Sequence, residues 1–176
     1  MDFFYFLVTS LDQYADKFGF HNYYFVENGA GAFTEGFLYS AGIGVVVSLA
    51  FYSGLCNGES VKLATRVNWG IGLLLVALAA YFIGDIMIIG SDGNPGSGFY
   101  CACQDFANNF MKQNIGNDQA VRECRMELNR ILEELRKGND VALMFNVTNA
   151  ALSMLFYFLT SLCVKNLTKH GSQIPF

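Results

Sequence analysis

The run YFIGDIMIIG places a single carboxylate, Asp85, among apolar neighbours on both sides. Such a group needs a partner or a proton, because burying an isolated charge away from water is expensive. Further along, Asn146, Asn149, Ser153, Tyr157 and Thr160 step by three, four, four and three residues, which puts amides and hydroxyls on one face of a helix. Two kinds of chemistry fit this pattern. One is a proton or ion path through Asp85 and along the polar face. The other is interhelical hydrogen bonding that locks apolar helices together, worth about 1 kcal/mol per contact. A relay wants a second charged residue in the neighbouring apolar runs, and they carry none, so the bonding role is the expected one.

Other chemistry is sparse. The five cysteines, Cys56, Cys101, Cys103, Cys124 and Cys163, lack the paired C-x-x-C spacing of a structural zinc site. In an oxidising compartment one of Cys101 or Cys103 could bridge to Cys124, since neighbours two apart rarely bridge each other. His21 and His170 lie far apart with no ligand spacing around them, and His21 reads as a polar residue at a membrane interface. There is no G-x-S-x-G, H-E-x-x-H or G-x-x-x-x-G-K sequence. No catalytic residue, metal site or cofactor is expected, and an enzyme is disfavoured.

The elements that must position these groups are membrane spans. About twenty apolar residues cross a hydrocarbon core as a helix, and three runs qualify: 36–56, 67–90 and 141–164. The second and third run in opposite directions, with Asp85 five residues before the end of one and Asn146 five after the start of the other. They therefore lie level, and Ser40, near the start of the first run, reaches the same depth. This predicts an intramembrane polar cluster of Ser40, Asp85, Asn146 and Asn149. Ser40, Gly44 and Ser48, spaced by four, and Ala77, Ala80 and Gly84 on the second span let backbones approach closely.

Outside the spans, Phe4, Leu7, Val8, Leu11, Tyr14 and Phe18 recur at helical spacing opposite Asp12, Asp16 and Lys17. That pattern predicts an amphipathic helix over 1–18 lying at the interface. Residues 19–35 mix aromatic anchors with glycine, as expected at headgroup level. Segment 91–140 opens with the turn-rich SDGNPGSG. A second amphipathic helix follows over 118–137, capped by Asn117, whose seam of Val121, Cys124, Leu128, Ile131 and Leu135 must dock on this protein or a neighbour.

Composition agrees with a membrane class. Hydrophobic residues make up 53% of the chain and charged ones 15%, well under the quarter usual in soluble domains. A net charge of −4 with 11 Lys and Arg provides no basic face for nucleic acid. The predicted fold is a single all-α integral membrane domain over residues 1–176: three transmembrane helices, an N-terminal interfacial helix and an extramembrane helix. Basic-residue counts conflict on orientation. The absence of Lys and Arg from 18–35 and 91–111, with three cysteines in the 91–140 segment, favours the N-terminus outside and the C-terminus inside. A bacterial cytoplasmic or a mitochondrial inner membrane both fit. The expected function is that of a structural or accessory subunit of a multi-component membrane complex, with other membrane subunits and the bilayer as partners. The alternative is a homo-oligomeric channel or proton-coupled transport component that uses Asp85 and the polar face of the third span.

Overall fold

A computed structural model describes residues 5–11, 16–28, 31–55, 66–89, 98–136 and 140–168, and among them every regular element is helical. In chain order, α1 is Phe6–Thr9, and α2 is Phe20–Asn22, running into a π-helical turn at Tyr23–Glu27. Next come α3, Ala32–Ala50, which ends in a second π-helical turn at Phe51–Leu55, and α4, Arg66–Ile89. The last three are α5, Phe99–Gln113, α6, Asp118–Arg136, and α7, Asp140–Val164, which closes with a 3-10 turn at Lys165–Leu167.

Three stretches, Ala32–Gly54, Arg66–Ile88 and Asp140–Leu167, are long and apolar enough to cross a membrane. The shorter ones, at 23 residues, extend about 35 Å as helix, more than the ~30 Å of a hydrocarbon core.

The chain divides into two compact units, Met1–Gly36 with Ile83–Thr148, and Phe37–Phe82 with Asn149–Phe176. The first is built on an aromatic core. Tyr5 stacks on Phe33 with ring centroids 4.5 Å apart and lies 5.5 Å from Phe145. Phe25 packs on the same two rings at 4.9 and 5.2 Å. Tyr24 meets Phe99 edge-on at 5.0 Å and donates its hydroxyl to Met87 O at 2.5 Å, tying the π-helical turn after α2 to α4. Gly31, at φ 71°, makes the sharp entry into α3; a Cβ there would lie 2.7 Å from Phe25 O.

Three expectations change in this unit. The N-terminal interfacial helix over 1–18 reduces, among the described residues, to the single turn of α1. Thr9 and Ser10 return their hydroxyls to Phe6 O and Leu7 O, a local bond that competes with helix propagation. Of the positions that periodicity marked, Val8 is buried, Leu11 and Phe18 half-buried and Leu7 exposed, while Tyr5, outside that pattern, is fully buried. The aromatic residues of 19–35 form a core, not headgroup anchors: Phe20, Tyr24, Phe25 and Phe33 are all buried. Residues 99–113 form α5, a helix that the turn signals before it concealed.

The second unit contains most of α3 and α4 and the latter part of α7. At one end, Phe51 and Tyr52 are packed by Trp69 and Val164.

Candidate functional site

In the second unit the polar face of α7 is met residue by residue. Ser40 Oγ donates to Asn149 Oδ1 at 3.4 Å. One turn on, Gly44 lies against the α7 backbone; a Cβ there would stand 2.5 Å from Ser153 O and 2.9 Å from Tyr157 N. Ser153 Oγ donates to Val76 O of α4 at 3.3 Å and to Ala150 O at 2.8 Å. Tyr157 points its hydroxyl to Trp69 O at 3.4 Å, into the space left by Gly72. Ser48 and Ser161 hydroxyls pair at 3.1 Å, and Trp69 Nε1 also donates to Ser161 Oγ at 3.1 Å. Small residues on α3 and polar residues on α7 thus form one ladder, with α4 supplying carbonyls and an indole. Ser161, which spacing overlooked, is buried on this face, whereas Thr160 is only half-buried. At 3.6 residues per turn the step from Tyr157 lands as well on 161 as on 160.

In the first unit Asn146 Nδ2 donates to Asp85 Oδ1 at 3.2 Å. Asn146 is 2% exposed and Asp85 half-buried. Of the expected intramembrane cluster, the structure therefore brings Asp85 to Asn146 and Ser40 to Asn149. Ala80 and Gly84, the small residues of α4, are both buried and Ala77 half-buried.

The α6 seam is occupied from within the chain. Cys124, Leu128 and Ile131 are buried and Val121 half-buried, with α5 packed alongside; the Leu135 side chain lies outside the described residues. Asn117 Oδ1 accepts from Ala120 N at 3.2 Å and caps the helix. Cys101, Cys103 and Cys124 are free thiols, without the bridge that an oxidising compartment would allow. Cys103 is buried and directs its Sγ to Phe20 O at 3.6 Å, while Cys101, two residues away, is exposed on the other side of α5. Counted from the 114–117 turn, Cys103 and Cys124 also differ in height by about 6 Å at helical rise.

A buried carboxylate–imidazole contact leaves no periodic pattern in the sequence. Asp16, in the turn before α2, accepts the backbone N–H of Phe18 at 3.1 Å, of Phe20 at 2.9 Å and of His21 at 2.9 Å. The first two bonds go to Oδ1 and the third to Oδ2, which His21 Nδ1 also meets at 2.9 Å, and the two side chains are 1–2% exposed. Burial pushes the Asp16 carboxyl up, but the bonds from His21 and from the backbone outweigh it and hold the group at about 2. His21 is therefore a core residue and not an interfacial one; its ring lies 5.4 Å from Phe99. The available signal was an Asp shortly before Gly19 and an aromatic helix start, the pattern of a side chain capping free N–H groups. Lys17 then pairs with Glu123 of α6 at 2.5 Å, which fixes this turn to the α5–α6 hairpin.

The proximity of Asp16, His21 and Cys103 does not make a nucleophilic site. Burial first, and the Asp16 charge second, push the Cys103 thiol well above its ordinary value, and the thiolate is the reactive form. Among the described residues no group of three or more His, Cys, Asp or Glu is placed to hold a metal ion.

The fold defines a class: an all-helical protein with three helices of membrane-crossing length joined through small and polar residues. No family model, no curated protein and no solved structure matches the chain.

Proposed function

We propose that this protein is a structural or accessory subunit of a multi-component membrane complex, held in the bilayer by α3, α4 and α7. One observation carries the reading: the long helices turn their polar groups to one another and their apolar groups outward. In the α4 stretch only 22% of the most apolar window is buried. Ile71, Leu74, Leu75, Leu78, Phe82 and Ile86 are exposed, a surface far larger than water tolerates. Asn149, Ser153, Tyr157 and Ser161 are spent on interhelical bonds within the chain, which disfavours a channel lined by that face of α7.

Solubilisation from native membranes in mild detergent, followed by mass measurement, tests this. The expected species is a hetero-complex much heavier than the 19.5 kDa chain. A monomer or a ring of identical copies would overturn the reading.

A further inference from the structure

The inference rests on the proposed accessory-subunit role and gives it a contact surface. Between α5 and α6 lies a cleft of about 230 Å³. Its floor is apolar: Ala107 and Leu128 are buried, and Met111 and Leu132 half-buried. Its rim is polar, with Gln104 and Asn108 from α5 and Arg125 and Asn129 from α6, all exposed.

Three features define the occupant. The volume falls below the ~300 Å³ at which pockets for cofactor-sized molecules begin, and it suits one large apolar side chain. Arg125 is the one charged residue among those lining the cleft. Arg130, on the same helix, holds Glu127 and Glu134, whereas Arg125 touches Met111 Sδ at 3.8 Å and, among the described residues, no carboxylate. An exposed guanidinium presents a fork that matches a carboxylate with two parallel bonds. Finally, each rim carboxamide offers both a donor and an acceptor, the pair that a peptide main chain requires.

We propose that this cleft receives a segment of a partner subunit in which a large apolar side chain stands beside an Asp or Glu. The apolar side chain enters between Met111, Leu128 and Leu132, the carboxylate takes the arms of Arg125, and Asn108 and Asn129 pair with the segment's main chain.

The test uses the full chain in its native membrane with a photoreactive residue in place of Asn129. Irradiation is expected to give an adduct with a different polypeptide, the linked peptide carrying an acid within two residues of Phe, Leu, Met or Trp. Arg125→Glu should lower the yield at least about tenfold, because truncating or reversing one partner of a charge pair at an interface is costly. Arg122→Glu, on the same helix but outside the cleft, should not. Changing the partner's acid to Arg should restore the yield against Arg125→Glu. An adduct with lipid or with a second copy, or an undiminished yield in Arg125→Glu, overturns the proposal. A hetero-complex that persists on mass measurement with no adduct at 129 sinks the cleft and leaves the accessory role standing. Absence of any hetero-complex sinks both.

Discussion

At the scale of single residues, two carboxylates behave in opposite ways. Asp16 has four hydrogen-bond donors and is held at about 2. Its folded value lies below the unfolded one, so its stabilisation is complete above about pH 4 and is lost as pH falls through about 2. Allowing for residual screening, it contributes on the order of 1–2 kcal/mol. Asp16→Asn should be less stable by that amount at neutral pH. Its stability should also fall less than that of wild type between about pH 5 and pH 2, as read by thermal unfolding in detergent. Asp85 has one recorded bond, from Asn146. Asp85→Asn preserves shape and bonding and should assemble as wild type does. Asp85→Leu strands the buried Asn146 carboxamide and should cost about 1–2 kcal/mol. Normal assembly with lost function in Asp85→Asn would bring the proton-path reading forward. The Asp85–Asn146 pairing was legible because matched depth in antiparallel spans needs only counting. Asp16 with His21 was not, since a capping turn leaves no periodic trace.

At the scale of elements, the three long helices were plain from composition and α6 from its seam, yet α5 went unread. Its pattern was present: Phe99, Ala102, Cys103, Phe106, Ala107 and Phe110 follow helical spacing. The turn residues just before it set the reading of the whole stretch. Of the two expected docking surfaces for the α6 seam, this protein or a neighbour, α5 supplies the first. Leu128→Glu should therefore do more than weaken assembly. Placing a charge under α5 costs several kcal/mol, and hydrogen exchange should show α5 and α6 losing protection together. The α3–α7 contact gives a second element-scale test. Gly44→Ala forces a Cβ into the backbone of α7 and should destabilise by about 1–3 kcal/mol, whereas Gly42→Ala, with nothing within 4 Å, should be neutral by the same thermal assay.

At the scale of the whole molecule, the proposed membrane role predicts that three crossings by α3, α4 and α7 put residue 101 and residue 166 on opposite sides. The native Cys101 thiol is free and exposed, so a membrane-impermeant maleimide should reach it from one side only. A Cys101→Ser chain carrying Asn166→Cys should be labelled from the other. Labelling of both from one side would remove the three-span topology, and whichever side reaches Cys101 settles the expected orientation.

The turn at Asp16–Phe18 has a further consequence, for the order in which the chain is made. Lys17 waits for Glu123, 106 residues later, and Phe20 O waits for Cys103, 83 residues later. At about 5–20 residues per second, the first of these gaps takes on the order of 5–20 s. For most of that interval Phe20, Tyr24 and Phe25 lack α5, whose Phe99 and Phe106 pack on them. A polypeptide released before residue 98 never gains Phe99, Phe106 or Phe145 against those three rings, and so carries in its first unit the mark by which a holding chaperone or a protease recognises an unfinished chain.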